Sequence, residues 1–182
     1  MTAITLAPDA LVLVIGASGS GKSTFVARHF APGQILSSDA MRAIVADDPA
    51  DQSATADAFE VLHLVLARRL NRGHLTVVDA TNVQDWARTP LLDAARRFRR
   101  PVVGVVLALP LEICLARNAA RKDGRVPAAA VRRQDGWLRA GLATLTAEGF
   151  DDLHIIQTPE ALDAVSIRRT QRNVPKERRP AL

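Results

Sequence analysis

The run Gly16-Ala17-Ser18-Gly19-Ser20-Gly21-Lys22-Ser23, followed by Thr24, carries the clearest chemistry in the chain. Its fixed positions keep the spacing G-x-x-x-x-G-K-[ST] of a phosphate-binding loop. Glycines let the backbone pass close to phosphate oxygens, which a Cβ would obstruct. Successive N–H groups, and the start of the helix expected next, then face the anion. Residues 16–24 are the candidate cradle for a nucleoside triphosphate, ATP. The Lys22 ammonium can reach the β- and γ-phosphates, and the Ser23 hydroxyl can bind Mg2+.

Such a loop serves motors, switches and kinases alike, so the acceptor chemistry must come from other residues. Asp39, in Ser37-Ser38-Asp39-Ala40-Met41-Arg42, can take a proton from an acceptor hydroxyl as its oxygen attacks the γ-phosphorus. Arg42 lies three residues on and can hold an anionic part of the acceptor. An equal reading makes Asp39 a helix cap and Arg42 a surface charge. Asp79 ends a hydrophobic run, where a second acid approaches the metal or its waters in such folds. A strand-end turn through Asp79-Ala80-Thr81-Asn82 is its alternative, and Asp79 and Asn82 both stand as substrate-contact candidates. Arg117 and Arg121 are one helical turn apart, and Arg125 follows after a break. Guanidinium groups closing on the γ-phosphate neutralise charge on the transferring group; a solvated arginine face would carry the same residues.

These groups meet only if several strands end side by side. Residues 11–15 read as a buried strand and 34–37 as a weak one. Residues 75–78 and 102–109 read as strong strands, and 152–157 as the last. Helical periods cover 23–30, 55–72, 84–99, 111–120 and a stretch opened by Pro127. Continuous β-branched runs separated by helices indicate an α/β fold with a parallel sheet covered on both faces. The arginine-rich stretch 117–133 reads as a mobile lid or as an exposed connection. Trp86 and Trp137 read as packing residues.

The chain has 182 residues, 48% hydrophobic and 24% charged, which suits one globular domain and excludes disorder throughout. No apolar run approaches the roughly 20 residues of a membrane helix, so no membrane partner is expected. Cys114 is the single cysteine, which excludes an intrachain disulfide and a cysteine-rich zinc site. A cytoplasmic location is the expectation. The net charge of +5 sits in residues 166–182, which hold six basic residues and one acidic residue, while the rest is balanced. The expected organisation is a domain over 1–165 and a basic tail over 166–182, either solvated or drawn to nucleic acid.

Taken together, Gly16–Thr24, Ser37-Ser38-Asp39 with Arg42, Phe59-Glu60-Val61-Leu62-His63, 75–83 and the Arg117/Arg121 pair resemble the kinase module of bacterial polynucleotide kinase–phosphatase. The resemblance implies a P-loop kinase of the adenylate-kinase type, with a five-stranded parallel sheet flanked by helices and an arginine-rich lid. It implies transfer of the ATP γ-phosphate to a 5′-hydroxyl of DNA or RNA in nucleic-acid repair, with a phosphatase or ligase as partner. Asp39 would be the general base, Arg42 would hold the acceptor's phosphate, and Lys22 and Ser23 would bind triphosphate and Mg2+. Arg117 and Arg121 would be lid arginines. The family's third lid arginine falls at Gly124 here, and Arg125 is the candidate substitute. Two other readings stand beside it: a kinase of a small metabolite, antibiotic or nucleoside hydroxyl, and a nucleotide-switched binding protein.

Overall fold

The computed structural model describes residues 2–122 and 124–171. Five strands form the main sheet: β2 (Leu11–Ile15), β3 (Ile35–Ser37), β4 (Thr76–Asp79), β5 (Val102–Leu107) and β6 (Asp152–Ile156). Their order across the sheet is β3-β4-β2-β5-β6, and every pairing is parallel. This is the α/β fold expected of the sequence. Parallel neighbours need crossover connections, and helices supply them on both faces.

The helices are α1 (Lys22–His29), α2 (Ser38–Ala46), α3 (Thr55–Asn71), α4 (Asp85–Arg97), α5 (Leu111–Ala119), α6 (Ala128–Gly141) and the short α7 (Pro159–Asp163). Alternate residues of the central strands feed opposite cores. Val12, Val14, Val103 and Val105 pack with Phe25, Val26, Cys114 and Val131. Leu11, Leu13, Ile15 and Val106 pack with Leu62, Leu66, Leu70 and Leu91. Strands β2, β4 and β5 are buried along their whole length, which explains their unbroken apolar runs. Each such Val, Leu or Ile contributes about 1.5–3 kcal/mol on burial.

Three differences from the sequence reading appear. Strand β1 (Ala3–Leu6) was not foreseen; it has four residues, and only Ile4 and Leu6 face the core. Residues Ser166–Arg169, expected to begin a tail, instead form β7, which pairs with β1 in a separate parallel ribbon. The domain therefore runs past 165, and the basic residues from 172 onward lie outside the described residues. Finally, Trp86 and Trp137 are not packing residues, being 66% and 40% exposed.

Register explains where chemistry gathers. Asp79 pairs with Val14 on one side and with Ser37 on the other. The ends of β2, β3 and β4 are thus level, so Gly16, Ser38-Asp39 and Asp79 emerge along one edge. Ligands of open α/β sheets bind at that carboxyl edge.

Candidate functional site

The Gly16 N–H donates to the Thr81 carbonyl at 2.9 Å, which ties the loop to the turn after β4. Gly19 and Gly21 have φ of +83° and +98°, a region closed to most side chains. A Cβ on Gly19 would lie 2.1 Å from the Cys114 carbonyl oxygen, so α5 rests directly on the loop. The N–H groups of Gly19, Gly21, Lys22 and Ser23 have no hydrogen-bond partner among the described residues. Free donors at the start of α1 fit a triphosphate. Ala17 and Ser20 close a tight turn inside the loop, Ser20 N–H to Ala17 O at 3.1 Å. The Ser20 hydroxyl is buried without a partner. The Ser18 N–H is already taken, donating to Gln134 Oε1 of α6 at 2.8 Å. Thr24 is exposed on the first turn of α1.

Lys22 is buried and donates from Nζ to the Ala17 carbonyl at 3.0 Å. Burial lowers its pKa to about 8; Asp79 and Asp39 oppose that, and Arg121 adds to it. Asp79 shifts the other way. Burial raises its pKa, while Lys22 and a hydrogen bond from Ser23 hold it down, and Arg121 helps. Ser23, Asp79, Lys22, Asp39 and Arg121 therefore share one electrostatic neighbourhood. The Ser23 hydroxyl beside a buried carboxylate suits a hard, oxygen-seeking cation.

Asp39 sits in the first turn of α2, and Ser37 caps that helix by accepting from the Ala40 N–H. The capping role weighed for Asp39 thus belongs to Ser37. The Asp39 side chain is 62% exposed, whereas that of Arg42 is 9% exposed. Arg42 is no surface charge. Its Nη2 donates to Asp39 Oδ1, and its Nε donates to the Pro49 carbonyl at 2.8 Å.

The arginines divide. Arg117 lies along Gly21, its Nη1 3.4 Å from where a Cβ there would sit. Arg121 lies near enough to Lys22 and Asp79 to shift both. Arg125 instead donates to the Ala119 carbonyl at the end of α5, at 2.6 Å, an exposed contact. Its guanidinium is held at a helix C-terminus, where cations are favoured. Buried Asn118 bonds in both directions to the Val126 backbone and pins the two ends of the intervening segment.

Asn82 has a structural role as well. It is 2% exposed, and its Nδ2 donates to the Val14 carbonyl at 3.0 Å. Its φ of +49° is held by Arg88, whose Nη1 donates to the Asn82 carbonyl at 2.7 Å. Asn82 supports the floor of the loop through Nδ2, and its Oδ1 is buried without a hydrogen-bond partner among the described residues. Arg88, Glu148, Gln134 and Asn118 were missed in the sequence. Arg88, Glu148 and Gln134 join segments far apart along the chain, Asn118 bridges to Val126 eight residues on, and no local spacing marks them.

The likeness to solved structures lies in the fold. A gluconokinase from Sinorhizobium meliloti 1021 is 16% identical, with a TM-score of 0.53 and coverage of 87% of each chain. A shikimate kinase from Acinetobacter baumannii, solved in complex with shikimate, is 21% identical, with a TM-score of 0.52 over 85% of this chain and 87% of that one. The AvrRxo1-ORF1:-ORF2 complex with ATP is 15% identical, with a TM-score of 0.61; it covers 76% of this chain, which spans about half of it (49%). Among the curated proteins none matches this chain in sequence. A family model described as an AAA domain matches residues 11–141, and the chain belongs to that family.

Proposed function

We propose that this protein is an ATP-dependent kinase that moves the γ-phosphoryl group to a hydroxyl of a small metabolite. The observation that carries the reading is Asp39: an exposed carboxylate at the sheet edge, electrostatically coupled to Lys22 of the phosphate loop. In the proposed reaction the triphosphate lies on the free N–H groups of the loop, with Lys22 on its β- and γ-phosphates. Asp39 accepts the acceptor's hydroxyl proton as that oxygen bonds to the γ-phosphorus and the bond to the β–γ bridging oxygen breaks. Arg117 and Arg121 approach the phosphates from α5 and the segment after it. Magnesium bound with the triphosphate supplies charge neutralisation, and Ser23 and Asp79 are the residues that would hold it.

Two observations favour a small acceptor. Arg42, which a polynucleotide reading requires as the clamp on an acceptor phosphate, is buried, and two of its donors are held by Asp39 and Pro49. The gluconokinase and the shikimate kinase share the fold. The motif resemblance keeps a second reading, a 5′-hydroxyl polynucleotide kinase, in view. A transfer assay with γ-labelled ATP decides between them. Its arms are gluconate, shikimate, free sugars, nucleosides and 5′-hydroxyl oligonucleotides. Label on a small hydroxyl compound is the expected result. Label on oligonucleotides alone would replace this reading with the second one. Asp39→Ala should lower transfer about 10²–10⁴-fold.

A further inference from the structure

We infer that Arg42 is a positioning residue that orients the Asp39 carboxylate. The inference rests on Asp39 being the base. Asp39 is on the first turn of α2, and its side chain is 62% open to solvent. A carboxylate so placed would sample several rotamers, and only one presents a given oxygen to the incoming hydroxyl. Arg42 removes that freedom. It lies three residues on, so both side chains share one face of α2. Its Nη2 binds Oδ1, and the Ser38 hydroxyl donates to the same oxygen at 3.4 Å. Among the described residues Oδ2 has no hydrogen-bond partner, so one oxygen is held and the other remains open to receive a proton.

Arg42 is itself fixed from behind. Its side chain is 9% exposed, and its Nε donates to the Pro49 carbonyl at 2.8 Å. Pro49 belongs to the segment after α2. That segment reverses at Asp47, which has φ of +57°, and is braced by Asp48 and Asp51 on the N–H groups of Ala50 and Ser53. The guanidinium thus spans a rigid loop and the base. These contacts take two of its five N–H donors.

Hydrolysis of ATP with water as acceptor tests this, because water carries no phosphate for Arg42 to hold. The proton of water would pass to Asp39 Oδ2 as its oxygen bonds to the γ-phosphorus, releasing ADP and phosphate. The proteins compared are the full-length chain, Asp39→Asn, Arg42→Gln and Arg42→Lys, with thermal melts and ATP binding as controls on folding. The expected result is a fall in kcat of about 10–100-fold for Arg42→Gln, with KM for ATP within about twofold and partial recovery in Arg42→Lys. The same loss should appear with a nucleoside and with its 3′-phosphate as acceptors. An Arg42→Gln rate equal to wild type while Asp39→Asn is impaired would overturn the positioning role alone. An unimpaired Asp39→Asn would instead overturn the base beneath it. A crystal structure of Arg42→Gln gives an independent readout. Asp39 should occupy more than one rotamer, and a single wild-type rotamer would also overturn the inference.

Discussion

Arg88 and Glu148 form a forked ion pair behind the phosphate loop, with Nε to Oε2 at 2.7 Å and Nη2 to Oε1 at 2.5 Å. The third nitrogen of Arg88 holds Asn82, and Asn82 holds Val14 at the end of β2. Removing one partner of a buried pair leaves an uncompensated charge. Glu148→Ala should therefore cost about 3–5 kcal/mol. The exposed pair Arg28–Asp163, at 51% and 69% side-chain exposure, should cost under about 1 kcal/mol on Arg28→Ala. Urea unfolding of the two variants checks the contrast.

Lys22 should make nucleotide binding weaken in alkali. Burial first, and Arg121 second, hold its pKa near about 8 in the free protein. A phosphate ligand favours the charged form. Affinity for ATP should be level below about pH 8 and then fall by up to about tenfold per pH unit. Titration calorimetry at pH 8 in buffers of differing ionisation enthalpy should show proton uptake on binding. Stability runs the opposite way. The unfolded chain binds this proton more tightly, so the contribution of Lys22 to stability should rise between about pH 8 and 10.5. A Lys22→Met variant should flatten both trends.

Asp79 and Ser23 should act together on magnesium. Asp79→Asn keeps the shape but removes the charge beside the Ser23 hydroxyl. The Mg2+ concentration needed for half-maximal transfer should rise about 10–100-fold. A magnesium titration of kcat measures it, and an unchanged midpoint would take Asp79 away from the metal.

Two glycines with positive φ should respond differently to alanine. Gly19 has φ of +83° and the Cys114 carbonyl where a Cβ would go. Gly124 has φ of +66° and nothing within 4 Å. Gly124→Ala should cost about 1 kcal/mol, the backbone strain alone. Gly19→Ala should cost more and abolish ATP binding, because α5 must move off the loop. Thermal melts with and without ATP separate the two.

Truncation should distinguish strand from extension. Removing 172–182 leaves β7 in place, whereas removing 166–182 deletes the partner of β1 and uncovers Ile4 and Leu6. The shorter truncation should keep the melting temperature, and the longer one should lower it by several degrees. If the basic residues beyond 171 contact nucleic acid, the shorter truncation should also flatten the salt dependence of oligonucleotide binding.

The sequence by itself determined the parts of this protein whose information is local. A glycine loop between strand and helix is written in eight consecutive residues. The runs Leu11–Ile15 and Val102–Leu107 are apolar without interruption because both faces of the sheet are covered. Such runs separated by helices mark a parallel sheet covered on both faces, while the strand order comes from the fold. Tertiary structure decided what each polar side chain does. Asn82 and Arg125 have the residue types of ligand contacts, yet one supports the loop from within and the other rests on the end of α5. Arg42 and Asp39 were both visible as a pair, but only the fold shows that Arg42 is buried against Pro49 while Asp39 is exposed. Gln134 and Ser18 stand 116 residues apart and meet at 2.8 Å. A hydrogen bond is directional and short-ranged, so a one-residue shift in packing reassigns it. The hydrophobic pattern that sets the fold tolerates such shifts.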